Sequence, residues 1–323
     1  MKKILHLVDS HQYVDANCFQ HQLKAALRAH SNVVTVSLDD VKNVDQFDAV
    51  VCCLKQRTLC RAAPGLAAVL KTAPVVIYDQ DPWEAFRDGS PWKGTYDIAS
   101  KFLNVRSIAV TTELWADFLR NKGYTAQFTS MWVLPQYCDS GSLDDKRGVG
   151  FIGTVHPHRK ILFDFLLAQG VPIDVRSGPA QAYPEFLKTL AGFEIFLHNE
   201  DAPIITDGVE MNIRDALWIK DIEACARGCF SIRNVGKQSG SYFGDLPVDS
   251  AGNSMVRLFE TFEEVPELIK GIQSMPKDEK EDLIIRTVNY VKNNDRWAKT
   301  ADALLGAVNE ELRNWLSLVC EQC

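Results

Sequence analysis

Two acids eight residues apart, Asp215 and Glu223, with Lys220 between them, form the stretch of this 323-residue chain best equipped for chemistry. The pattern from Asn212 to Ile232 predicts one helix, a glycine stop at Gly228 and a short buried strand. Asn212 is placed to cap that helix, and Asp215, three residues on, completes a variant of the capping box. Eight residues are two turns with about 80° of drift, so one helix side would offer both carboxylates. The helix amino end would favour an anion. Glu223 lies in the apolar run Ile222–Ala226, where a carboxylate needs a partner. A ribose diol, with two hydroxyl donors, would suit it. The plainer alternatives are a cap for Asp215 and a solvated charge for Glu223.

Other candidates stand at the ends of apolar runs, because ligands of open parallel sheets bind beyond the carboxyl ends of the strands. In the first half these are Asp9, Ser10, His11, Asp79, Asp81 and Thr112. In the second half they are Gly153, Thr154, Arg159, Gly178, His198 and Asn199. The run Gly148–Gly153 is not a dinucleotide fingerprint, since the strand lies inside it, and only Gly153 and Thr154 fall in the turn. Arg159 is either an exposed helix charge or a guanidinium for phosphate oxygens. Asp79 and Asp81 have the spacing of a carboxylate pair that holds a divalent cation against a diphosphate. Trp83, Phe86 and Trp92 beside them could wall a sugar acceptor. His198 reads as a core or cavity-wall histidine, kept as a candidate on the donor side.

The elements that must position these residues are legible as alternation. Residues 3–8 are apolar, and a helical pattern follows through Phe19, Leu23, Ala26 and Leu27. Runs at 33–36, 47–53, 74–78 and 107–111 predict strands, and 66–70 predicts helix. Thr112 caps a helix closed by Gly123. After a polar, small-residue stretch at 137–147, taken as a linker, strands recur at 148–153, 172–176 and 193–197, with a helix at 157–168. The expected class is α/β, with two doubly wound Rossmann-like domains facing a cleft. The first spans 1–140 and the second 148–295. A final helix at 296–323, striped by Trp297, Ala301, Leu304, Leu305, Val308, Leu312, Trp315 and Leu316, is expected to be core and to pack back on the first domain. A peripheral membrane contact is its other reading.

Net charge of -7 argues against a general nucleic-acid binder. No apolar run approaches the roughly 18 residues of a membrane span, and the first ten residues read as a core strand, not a signal peptide. Nine cysteines, an odd and scattered set, imply free thiols in a reducing cytoplasm. Cys320 and Cys323 lack the second pair that a zinc site needs. Cys225 and Cys229 read as small core residues.

The segment Lys220–Ile232 resembles the basic-x-x-Glu-Ala-x-Ala-x-Gly-x-Phe/Leu-x-Ile segment of GT-B-fold glycosyltransferases, and is most similar to their CgeB-like, group-1-like members. Phe151–Thr154, followed by Arg159 and a leucine-rich helix, resembles the strand–turn–helix that opens their nucleotide domain. The likeness covers residues 148–232, and the first half shares it in architecture only. It implies the GT-B fold and metal-independent, hexosyltransferase-like transfer without a cofactor, in polysaccharide or glycoconjugate biosynthesis. The sugar would move from a nucleotide-sugar donor to a sugar, a lipid-linked glycan or another small molecule. It also implies a donor held by the second domain, with Glu223 on the ribose and Arg159 and Lys220 on the diphosphate. Gly153, Thr154, Gly178 and His198 would lie on the same side. Retaining relatives place a first glutamate near the donor sugar where this chain has Asp215, and a glycine-rich first turn where it has Asp9-Ser10-His11. Retention is the expected outcome. If the reaction inverts, Asp81 or His11 would take the acceptor proton. The alternatives are an epimerase or hydrolase of nucleotide sugars on the same fold, or a non-catalytic nucleotide-sugar-binding protein.

Overall fold

The computed structural model describes residues 3–43, 47–70, 72–178, 181–215 and 219–320, without the side chains of 43, 214 and 309–320. The chain divides into two compact units. The first comprises the residues up to Met131, residues 205–210 and those from Trp297 on; the second comprises 132–204 and 211–296. The polar stretch 137–147 thus lies inside the second unit.

In the first unit the chain runs β1 (Ile4–Val8), α1 (His11–Ala16), α2 (Cys18–Arg28), β2 (Val33–Ser37), β3 (Ala49–Cys53), α3 (Gln56–Leu70), β4 (Pro74–Asp79), α4 (Thr95–Phe102), β5 (Asn104–Val110), α5 (Glu113–Asn121) and β6 (Ala126–Phe128). The strands form one parallel sheet in the order β2-β1-β3-β4-β5-β6. All five residues of β1 and of β3 are buried, and with His6 the one polar residue among them both read as apolar runs with no alternation. Strand β1 has β2 on one side and β3 on the other, with Val8 level with both Ser37 and Cys53. The chain changes direction across the sheet there, so this sheet's topological switch point lies beyond Val8 and Cys53. Local signals hold: Thr112 Oγ1 accepts the Trp115 amide at 3.2 Å to start α5, and Gly123, at φ 90°, follows its end.

The second unit contains β7 (Arg147–Ile152), α6 (Pro157–Ala168), β8 (Ile173–Arg176), α7 (Tyr183–Ala191) and β9 (Phe193–His198), and the chain then forms β10 (Pro203–Thr206) and β11 (Val209–Asn212), whose residues 205–210 count with the first unit. After these come α8 (Ile219–Ala226), β12 (Phe230–Asn234), α9 (Ser239–Phe243), β13 (Val256–Phe259), α10 (Val265–Ser274) and α11 (Lys277–Asn293). Its parallel sheet has the order β13-β12-β9-β7-β8, with the switch point between β7 and β9. Gly150 allows β7 and β9 to pair closely, because a Cβ there would lie 2.4 Å from the Phe193 ring. Gly228, at φ 67°, follows α8 where a Cβ would meet the Ser140 carbonyl oxygen at 2.7 Å.

The helix expected to start at Asn212 does not. Asn212 closes β11, Ile213–Asp215 is a single 3-10 turn, residues 216–218 lie outside the described residues, and α8 begins at Ile219. The competing signal is Asp207-Gly208, both at positive φ (49° and 75°), the pair that turns a two-residue hairpin between β10 and β11. Asn212 braces the approach to this hairpin, not a helix start: its Oδ1 accepts the Ala202 amide at 3.1 Å and its Nδ2 donates to Asp201 at 2.7 Å. The hairpin tip, counted with the first unit, is held by Lys93 and Lys122, at 2.7 and 2.8 Å from the Asp207 carboxylate.

The last helix, α12 (Arg296–Cys320), buries Trp297, Ala301, Leu304, Leu305 and Val308 in the first unit. Thr300 Oγ1 donates to the Ser130 carbonyl at 2.7 Å. The expected positions Leu312, Trp315 and Leu316 have side chains outside the described set. Among the described residues no helix is long and apolar enough to cross a membrane.

Candidate functional site

The turn after β7 carries the strongest site in the second unit. Gly153 has φ 142°, a conformation that side chains disfavour, and its amide donates to the Arg176 carbonyl at 3.1 Å. A Cβ on Gly153 would lie 3.2 Å from Lys220 Nζ, so the missing side chain is what lets the ammonium lie against the turn. Lys220 reaches it from the first turn of α8 and is half-buried. Among the described residues no carboxylate pairs with it. A partly desolvated cation with no ion pair among the described residues, beside a strand-end glycine at the switch point, is suited to an anion.

Arg159 is neither an exposed helix charge nor open to a ligand. It is buried, donates from Nη1 to the Thr154 carbonyl at 2.5 Å and pairs through Nη2 with Glu200. Its guanidinium also stacks over Phe151, 5.3 Å from the ring centre. Its charge is spent on Glu200 and its geometry on the turn, which leaves Lys220 as the cation available there. Thr154 is exposed, and Gly178 stands exposed beyond β8.

Behind this turn lies a buried chain of charges. Glu200 Oε1 is 2.8 Å from His198 Nε2, and His198 Nδ1 is 3.0 Å from both oxygens of Asp221. Asp221 also accepts from Ser231 at 2.7 Å and from Arg233 at 2.9 Å. Burial alone would raise the Glu200 pKa. Hydrogen bonds from His158 and His198 and the charges of His198 and Arg159 overcome it, holding the carboxyl well below its ordinary range. Burial likewise opposes ionisation of Asp221, yet the charges of His198 and Arg233 bring it down to about 2. Both ring nitrogens of His198 therefore face carboxylates, which clamp the ring in the core. As a candidate on the donor side His198 is thus displaced inward. The sequence alone does not mark Glu200 or Asp221, although an arginine directly after the run Cys229–Ile232 is the available sign of a buried ion network.

Glu223 is fully buried, and the partner that burial demands is Tyr183, whose hydroxyl donates to Oε1 at 2.6 Å. Burial raises its pKa to about 7, against the lowering effects of Tyr183 and Lys220. An enclosed carboxylate already bonded to Tyr183 supports α8 and is not presented to a ribose. Asp215 is also buried and sits apart from Glu223's helix, accepting the Lys237 amide at 2.9 Å.

In the first unit, a cavity of about 200 Å³ opens at the carboxyl ends of β3 and β4, with Asp81, Tyr13, Lys55 and Trp92 among its walls. Asp81 is half-buried there. Asp79 is spent on the fold: its carboxylate accepts from Gln56, Tyr96 and the Asp81 amide, each at 2.8 Å, and burial raises its pKa. That use, as a bracket for the strand end, accounts for the acid spacing. Among the described residues no three His, Cys, Asp or Glu side chains are grouped to hold an ion. His11 opens α1 with its ring exposed, 4.0 Å from Asp40, and does not line the cavity. Trp83 and Phe86 are core residues, packed on Trp115 and Tyr96, so of the three aromatics only Trp92 faces the cavity.

No family model matches the chain, and no curated protein matches it in sequence. Its fold is nonetheless shared. Two doubly wound parallel sheets, one in each half, are the architecture of GT-B glycosyltransferases, and solved structures of that class match nearly the whole chain. A DNA-modifying β-glucosyltransferase, studied with and without uridine diphosphoglucose, is 11% identical at a TM-score of 0.60, over 95% of this chain and 99% of that one. The α,α-trehalose 6-phosphate synthase of Burkholderia multivorans is 10% identical at a TM-score of 0.59, over 97% and 100%. A trehalose-6-phosphate structure from E. coli bound with UDP-2-fluoro glucose is 9% identical at 0.60, over 95% and 99%. Identities this low establish the fold.

Proposed function

We propose that the chain is a glycosyltransferase that moves a sugar from a nucleotide-sugar donor to a hydroxyl acceptor, on the CgeB-like, group-1-like branch of the GT-B class. The observation that carries this reading is Lys220 Nζ, held unpaired against the side-chain-free Gly153 turn at the β7/β9 switch point. The nucleotide diphosphate belongs there. In the transfer, the acceptor oxygen bonds to the anomeric carbon while the bond from that carbon to the phosphate oxygen breaks, and its electron pair leaves with the diphosphate. Lys220 counters the charge that develops on the leaving group, without need of a metal. We assign retention, in which the acceptor proton passes to the departing phosphate oxygen. Arg159 and its Glu200 clamp hold the turn in place. The seven cysteines whose side chains are described form no disulfide with one another, which supports a cytoplasmic location.

A thermal-shift screen of nucleoside diphosphates and nucleotide sugars tests the reading. A ligand at 100 times its Kd adds about 2.7 kcal/mol of stability. The shift should appear with at least one nucleotide and vanish in Lys220→Ala; no shift with any nucleotide overturns the assignment. Release of nucleoside diphosphate only when an acceptor is present separates a transferase from a binding protein, which releases none. Conversion of the donor alone identifies an epimerase or hydrolase.

A further inference from the structure

The cavity of the first unit has a chemistry of its own. Gln20 and Gln56 both line it, and both are more than nine-tenths buried. Gln20 Nε2 donates to the Cys53 carbonyl at 2.7 Å. Gln56 Nε2 donates to Asp79 at 2.8 Å and to the Asp81 carbonyl at 2.9 Å. These bonds fix which end of each amide is nitrogen. Each amide oxygen is then a buried acceptor with no partner. Buried acceptors are costly unless met by a donor.

The walls are aromatic as well as polar. Trp92 and Tyr13 line the space, and cations already lie over both rings, Arg61 at 4.9 Å from Trp92 and Lys55 at 3.4 Å from Tyr13. The charges on the walls are Lys55 and Arg57 against Asp79, Asp81 and Glu84, so carboxylates outnumber cations. A phosphate group would bring negative charge and no donors into this setting. At about 200 Å³ the space is also below the roughly 300–1,000 Å³ of sites for drug-sized ligands.

We infer that this cavity binds a small uncharged polyol, a single sugar ring. Its hydroxyls donate to Gln20 Oε1, Gln56 Oε1 and the Asp81 carboxylate, and its apolar face lies on Trp92. That the bound polyol is the transfer acceptor rests on the proposed function; that it binds does not.

Saturation-transfer NMR on the full chain tests this with methyl α-glucoside, methyl α-mannoside and N-acetylglucosamine, set against glucose 6-phosphate and a short single-stranded DNA. At least one neutral sugar should receive saturation, and neither the phosphate nor the DNA should displace it. Trp92→Ala should cut the signal at least tenfold, with Tyr13→Ala as the second variant should the first fail to fold. No transfer to any neutral sugar, an unchanged signal in the folded variants, or preference for glucose 6-phosphate overturns the inference. The nucleotide screen on Lys220→Ala reads separately. Sugar binding without nucleotide binding defeats the transferase reading alone; nucleotide binding without sugar binding defeats the polyol site alone.

Discussion

Replacing Glu223 by Gln should stabilise the second unit at pH 8 and leave it nearly unchanged at pH 4. The side chain is fully buried, and Tyr183 can donate to the amide oxygen of Gln as it does to Glu223 Oε1. Burial raises the carboxyl pKa from 4.5 to about 7. The folded value lies above the unfolded one, so as pH rises past 4.5 the unfolded chain sheds the proton first. Stability then falls until about pH 7, and the loss is complete above it. At about 1.4 kcal/mol per pH unit this comes to about 3 kcal/mol, which Gln never loses. For a unit of this size that is roughly 6–12 °C in Tm. Differential scanning calorimetry of both proteins at pH 4 and pH 8 reads it directly. Equal differences at the two pH values, or a variant that is less stable at pH 8, would refute the claim that ionising this buried carboxylate destabilises the second unit. Tyr183→Phe removes the hydrogen bond that opposes the rise, so it should push the midpoint of the native protein's stability loss to higher pH.

Gly153→Ala forces a side chain into φ 142° and to within 3.2 Å of Lys220 Nζ. It should cost about 1–3 kcal/mol of stability and weaken nucleotide diphosphate binding, both read by thermal shift with and without ligand. Gly150→Ala drives a Cβ to 2.4 Å from the Phe193 ring. It should destabilise the second unit by about 1–3 kcal/mol in denaturant titration. His198→Leu strips the donor from two buried carboxylates, Glu200 and Asp221. The expected loss in the same titration is about 3–5 kcal/mol, and a loss below 1 kcal/mol would show that the ring is not needed to hold those charges.

The sheets were legible because their strands are buried on both faces and announce themselves as apolar runs, as at 49–53 and 193–198. Short edge strands such as β6, whose Phe128 is exposed, carry no such signal. The hairpin β10–β11 was hidden by a choice between two local readings. Asn212 and Asp215 look like helix capping, whereas Asp207-Gly208 fixes a turn just upstream, and the turn prevails because it alone meets its backbone requirement. At the candidate site, Gly153 and Lys220 could be named from position at a strand end and within a motif. The fate of Arg159 could not, because Glu200 is 41 residues away in sequence and only the sheet brings it near. Asp79 shows the converse: its acid spacing was visible, while the three donors that consume it come from separate elements.

The three-part make-up of the first unit has a consequence for how the protein is born. Its sheet is complete once residue 128 has been synthesised, yet Trp297, Ala301, Leu304 and Val308, buried in the same unit, are added only after the whole of the second unit. At ~5–20 residues per second, the ribosome needs roughly 10–35 seconds to go from Met131 to Val308. Throughout that interval the first unit lacks this apolar stripe, and the second unit, uninterrupted from 211 to 296, can close first. A chaperone that shields nascent apolar surface has its window on the half of the protein that is made earliest.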